Sequence, residues 1–145
     1  MLSRGKRIWG VGVDDSHGFK NLEEPNGAPP GQAWVMVRAD RLAPETIAAS
    51  LAKGDFYAST GVMLDDIATS DKDVSLKIKN TVRPGVAAIT RFTTKFIDRD
   101  GRVLAEVPGT APKYAIRGDE GYVRAAVMDS NGRRAWTQPV FVPKR

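Results

Sequence analysis

From Val62 onward the chain is a succession of short alternating apolar runs, each closed by a turn signal, and this punctuation constrains the fold more than any other feature. Val74, Leu76 and Ile78 alternate with Ser75, Lys77 and Lys79. Successive side chains of a strand point to opposite faces, so this run predicts a strand with one buried and one wet face. Residues 89–97 predict a longer strand, with Phe92 and Phe96 on one face and Arg91, Thr93 and Lys95 on the other. Asp98-Arg99-Asp100-Gly101 turns it into residues 102–107, and a hairpin is the natural result. A second hairpin is expected where residues 122–128, with Val123, Ala125 and Val127 on one side, meet Asn131-Gly132 and return over 133–137. Pro139 limits ladder bonding, so a last short strand at 140–142 belongs near an edge. Six or more strands at this turn spacing predict an antiparallel β-sandwich over residues 62–145.

The first sixty residues have a different texture. Residues 20–32 hold Pro25, Asn26, Gly27, Pro29, Pro30 and Gly31 and read as a loop, as do residues 80–85 with their Pro84-Gly85 pair. Residues 33–39 form a short apolar run whose brevity favours a buried strand. A helix is expected from Pro44 to Lys53. Pro44 suits the first helical position, Glu45 complements the helix dipole, and Gly54 supplies a left-handed cap. Ile47, Ala48, Leu51 and Ala52 fall on one stripe, so this helix should pack against something. Ser59 and Thr60 read as hydroxyls that satisfy a turn. Asp65-Asp66 and Asp71-Lys72-Asp73 lack the spacing of a calcium loop and read as structural.

Composition narrows the function classes. Hydrophobic residues make up 41% and charged residues 27% of 145, which fits a folded domain rather than a disordered or fibrous chain. The net charge of +5 comes from scattered basic residues, with no Lys/Arg-rich run apart from the short Arg4-Gly5-Lys6-Arg7 and Lys144-Arg145, so a nucleic-acid partner is not expected. With no cysteine, disulfides, thiolate metal sites and a Cys nucleophile are all excluded. No apolar run approaches the roughly 18 to 20 residues of a membrane span, and neither a signal peptide nor a membrane partner is expected.

One stretch carries candidate chemistry. In Trp9-Gly10-Val11-Gly12-Val13-Asp14-Asp15-Ser16-His17-Gly18 lies the single histidine of the chain. Read as a strand, the stretch puts Trp9, Val11, Val13, Asp15 and His17 on one face. A carboxylate and an imidazole side by side can share a divalent cation. Read instead as a turn, Asp-Ser-His uses its carboxylate on backbone amides and leaves the histidine half exposed.

Three segments in order resemble one family: residues 10–18 with Asp15-Ser16-His17; residues 44–61 with Lys53-Gly54-Asp55-Phe56-Tyr57-Ala58-Ser59-Thr60-Gly61; and Gly132-Arg133-Arg134-Ala135-Trp136-Thr137-Gln138-Pro139-Val140. They look like the C-terminal part of PHP-type (polymerase and histidinol phosphatase domain) metal-dependent phosphoesterases, in the branch with a β-rich tail. The resemblance implies an α+β chain: the terminal strand-helix portion of a β/α barrel over residues 1–61, then an accessory antiparallel β-sandwich over 62–145. It implies that Asp15 and His17 are metal ligands, the metal being zinc, manganese or iron in the intact enzyme. It assigns no catalytic residue here and gives Asp14 no role. The family's other ligands, a His-x-His pair among them, precede this motif, and no histidine precedes His17 in this sequence. The expectation is therefore a chain that contributes to a phosphoester-cleaving site yet is inactive and weakly metal-binding, or not metal-binding, alone. Its expected partner is an upstream catalytic half, or a second copy through self-association. The alternative is a non-catalytic sandwich, a binding or interaction module with a degenerate PHP-derived N-terminal segment.

Overall fold

The computed structural model describes residues 2–4, 6–17, 28–80 and 90–143. Of the expected loops, residues 20–27 and 81–85 lie outside the described residues, as does Ile89 at the start of the expected third strand. The elements are β1 (Trp34–Val37), α1 (Pro44–Lys53), β2 (Phe56–Ser59), β3 (Leu64–Thr69), β4 (Asp73–Ile78), β5 (Phe92–Ile97), β6 (Val103–Pro108), β7 (Lys113–Ala115), β8 (Tyr122–Asp129), β9 (Arg134–Thr137) and β10 (Val140–Phe141). They form two antiparallel sheets. The larger runs β1-β2-β9-β8-β5-β6, with β10 continuing along β8 beyond β9, and the smaller runs β3-β4-β7. The protein is thus mostly antiparallel sheet with one short helix, and β1 and β2 hydrogen-bond into the same sheet as the C-terminal strands.

Period-two patterning explains which faces meet. Val74, Leu76 and Ile78 of β4, Phe92 and Phe96 of β5, and Val123, Ala125 and Val127 of β8 are all buried in one core. Each such Phe or Val contributes roughly 1.5 to 3 kcal/mol by leaving water. The Phe96 and Tyr114 rings stack at 5.5 Å and join the larger sheet to β7 of the smaller one.

Both expected hairpins form, and the same pentapeptide pattern closes them. Asp98-Arg99-Asp100-Gly101-Arg102 joins β5 to β6, and Asp129-Ser130-Asn131-Gly132-Arg133 joins β8 to β9. In the first, Asp98 Oδ1 accepts the N–H groups of Asp100 and Arg102, each at 2.9 Å. In the second, Asp129 Oδ1 accepts those of Asn131 at 2.8 Å and Arg133 at 2.9 Å. Gly101 and Gly132 take φ of 83° and 82°, a region open to glycine at little cost.

Helix α1 spans the expected residues, but its apolar stripe finds little to pack against. None of its residues is buried, Ala48 and Ala52 are exposed, and Ile47 and Leu51 are only partly covered. Leu42, just before it, is 96% exposed.

The stretch before β1 departs from the strand reading. Residues 6–16 join no ladder, and His17 makes a single isolated bridge to Ala28. Glycines explain how this arm lies so close to the sheet. A Cβ on Gly12 would stand 3.0 Å from that of Ala58, and one on Gly54 would stand 2.8 Å from the Trp9 ring. Among the described residues, no helix is long and apolar enough to cross a membrane.

Candidate functional site

The arm over residues 9–17 is fixed to the body by side chains and backbone groups at four places. Trp9 Nε1 donates to Ala52 O at the end of α1, 3.0 Å away. Gln138, between β9 and β10, accepts from Gly10 N and donates to Gly10 O, both at 2.8 Å. Asp14 Oδ2 accepts the N–H groups of Gly31 at 2.5 Å and Gln32 at 3.3 Å, while its Oδ1 accepts that of Ser16. Ser16 Oγ donates to Ala28 O at 2.9 Å. Gly31, then Gln32 and Ser16, hold the Asp14 carboxyl below its usual range against an opposing push from desolvation. The amide-binding carboxylate of the turn reading is therefore Asp14, a residue to which the family resemblance gave no role.

These contacts turn the arm so that Gly12, Asp14 and Ser16 face the body, while Val11, Val13, Asp15 and His17 are exposed. Val11 is 66% exposed and Val13 75%. Of the five residues expected on one face, Trp9 turns to the body, while Val11, Val13, Asp15 and His17 are exposed. Asp15 adopts φ of 50°, the left-handed region that a non-glycine residue enters at a cost, so the regular alternation breaks there. Its carbonyl lies 2.6 Å from His17 Nδ1. With the proton on Nδ1, the ring donates to that carbonyl and leaves Nε2 as its acceptor nitrogen, the usual way of orienting a metal-binding imidazole. No group of three or more His, Cys, Asp or Glu able to hold a metal occurs among the described residues. Asp15 and His17 offer at most two donors, a half-site, and do not on their own fit a metal centre.

Two of the other acidic candidates have ion-pair partners. Asp66 pairs with Arg38 at 2.8 Å, and Asp73 pairs with Lys113 at 2.9 Å. Ser70 Oγ accepts the Lys72 and Asp73 N–H groups and so closes the turn at 70–73. Ser59 Oγ donates to Val62 O at 2.7 Å and accepts Gly61 N, and Thr60 Oγ1 accepts Arg134 N, so both hydroxyls serve the turn at 59–62.

A groove of about 550 Å³ escaped the sequence reading. β2 pairs along its whole length with β1 but with β9 only over Tyr57 to Ser59, and beyond Thr137 the chain steps aside at Gln138-Pro139 before resuming as β10. The groove opens where β2 and β10 part, with Arg7 and Trp9 of the arm forming part of its rim. Arg7 lies 5.1 Å above the Phe141 ring. Only the Gln138-Pro139 interruption after a strand signals this in sequence, and it does not say which strand is left unpaired.

No protein-family model, curated protein or solved structure matches this chain.

Proposed function

We propose that this chain is the C-terminal portion of a PHP-like metal-dependent phosphoesterase, in which Asp15 and His17 are two ligands of a centre completed by residues outside the chain. The observation that carries this reading is the outward face of the arm, where exposed Val11 and Val13 run into an exposed carboxylate and imidazole. Exposed apolar surface rimmed by polar groups marks a contact surface. A helix with no buried residue and a bare Leu42 before it are further exposed apolar surface. An upstream catalytic half packed there covers the valines and brings further ligands to the half-site. In that reading His17 presents Nε2, the Asp15 carbonyl fixes its ring, and the Asp14 clamp holds the arm in place. The bound metal, as zinc, manganese or iron, supplies Lewis acidity and an activated water for phosphoester cleavage.

Because His17 is the only histidine, its ring nitrogens report on the half-site without ambiguity. Titrating zinc into the ¹⁵N-labelled chain should shift Nε2 weakly, and Asp15→Asn should diminish the response. An identical response in Asp15→Asn, or turnover of a phosphomonoester or phosphodiester by the chain alone with zinc, manganese or iron, would refute the shared centre.

The groove favours a second reading, a non-catalytic sandwich that acts as a binding module. Light scattering separates the two. Self-association that Val11→Ser and Val13→Ser abolish supports a contact face on the arm, whereas a monomer indifferent to both changes favours the module.

A further inference from the structure

Strand alternation sorts the lining of the groove at the β2–β10 gap by chemistry. Tyr57 points into the core between the sheets, so Phe56 points to the opposite, outer side of the larger sheet. Phe141 pairs with Tyr122, and Val123, the next residue of β8, is a core side chain, so Phe141 shares the outer side. Trp9 and Phe141 meet edge to face at 6.4 Å, which puts the arm there as well. The outer mouth therefore gathers the Trp9, Phe56 and Phe141 rings with two cations, Arg7 and Lys53. Neither cation has a carboxylate partner among the described residues; Arg7 rests on the Phe141 ring instead.

Beyond the gap the groove runs against core-side groups, chief among them Met36, Leu64, Ile67 and Val74. Three carboxylates, Asp55, Asp65 and Asp66, also line the groove. Asp66 is paired with Arg38 at 2.8 Å, and Asp55 and Asp65 are exposed to solvent. The mouth thus joins three rings to two cations without carboxylate partners among the described residues, and an apolar throat lies behind it. The groove's volume lies within the range of small-molecule sites.

We propose that this groove binds a single-chain organic anion, its carboxylate or phosphate head held by Arg7 and Lys53 at the mouth and its hydrocarbon chain laid along Met36, Leu64, Ile67 and Val74. The aromatic rim dries the head group and so strengthens its pairing with the two cations. This site is independent of the Asp15–His17 half-site and of the phosphoesterase reading.

The test is calorimetric titration of the full chain with decanoate and decyl phosphate, which distinguish the two head groups, and with decyltrimethylammonium as the cationic counterpart. Amide NMR maps the site. Expected are saturable one-to-one binding of an anionic chain, shifts centred on residues 53–57 and 138–141, and affinity several-fold higher for decanoate than for hexanoate. Arg7→Ala and Lys53→Ala should each weaken binding roughly tenfold. Both residues are exposed, so an unchanged melting temperature shows that the variants are folded. No saturable binding, shifts elsewhere, equal affinity for the cationic chain, or full affinity in both variants would overturn the proposal.

Discussion

Glu120→Gln is the substitution whose consequences the structure defines most sharply. The Glu120 side chain is 2% exposed in the loop before β8. Its Oε1 accepts the Tyr114 hydroxyl at 2.9 Å and Arg117 N at 2.7 Å, and its Oε2 accepts Gly118 N at 2.9 Å. Glutamine keeps the shape but has one acceptor atom in place of two. If that oxygen serves Tyr114 and Arg117, the amide nitrogen faces the Gly118 N–H, donor against donor. Losing one charge-assisted bond and stranding a buried donor costs about 2 kcal/mol. At about 2.1 cal/mol/K of unfolding entropy per residue, a chain of 145 residues loses roughly 3 °C per kcal/mol, so the melting temperature should fall by about 6 °C.

The pH dependence carries a second signature of the same group. Burial pushes the Glu120 carboxyl up, but its hydrogen-bond donors outweigh burial and hold it below the ordinary 4.5. A carboxyl with a depressed folded pKa stabilises above its unfolded value, and that contribution is lost as pH falls through the folded one. Wild type should therefore approach the Gln variant in stability as pH falls below about 4. At the alkaline end, desolvation and then the bond to Glu120 push the Tyr114 phenol from 10 up to about 12. Stability linked to this phenol is present below pH 10 and lost as pH rises toward 12, and Tyr114→Phe should abolish that loss. Thermal denaturation followed by circular dichroism from pH 3 to 11 measures all of this. A drop of under about 2 °C at pH 7, or a wild-type advantage that persists undiminished at pH 3, refutes the reasoning.

Two further substitutions probe the core and the arm. Thr94 Oγ1 is buried with no hydrogen-bond partner among the described residues, so the near-isosteric Thr94→Val should stabilise by about 1 kcal/mol and raise the melting temperature by about 3 °C. Gly54→Ala places a Cβ 2.8 Å from the Trp9 ring at φ of 83°, which should cost at least about 1 kcal/mol and expose Trp9 to solvent, seen as a red shift of its fluorescence.

Much of the fold was legible because local signals agreed with the tertiary outcome. The helix boundaries followed from Pro44 and Gly54, and the core faces of β4, β5 and β8 followed from simple alternation. The strand at Phe56–Ser59 was not legible, since all four of its residues are buried and it shows no alternation to read. Its inner side joins the core while Gly12 of the arm covers Ala58 on the other, a long-range contact without a local signature. The candidate site divides in the same way. The alternation of exposed Val11, Val13, Asp15 and His17 with covered Gly12, Asp14 and Ser16 was readable, apart from Trp9, which turns to the body. Its outward direction was not, because it depends on Gln138, 128 residues away from Gly10, and on Asp14 reaching Gly31.

The recurring Asp-x-(Asp/Asn)-Gly-Arg turn also bears on how the chain reaches this structure. Each copy closes a hairpin from contacts near in sequence, and isolated hairpins form in about 1 to 10 μs. β5 and β8 then meet along six residue pairs, from Phe92–Asp129 to Ile97–Arg124, which fuses the two hairpins into the middle of the larger sheet. The larger sheet thus has two local starting points and one seam between them. The slow steps are the zippering of that seam and the longer closures of β4 on β7 and β2 on β9, each of which must close a long loop before contacts compensate for the lost entropy. Damage to either turn should appear as slower folding, whereas loss of the arm, which docks on a finished sheet, should appear as faster unfolding.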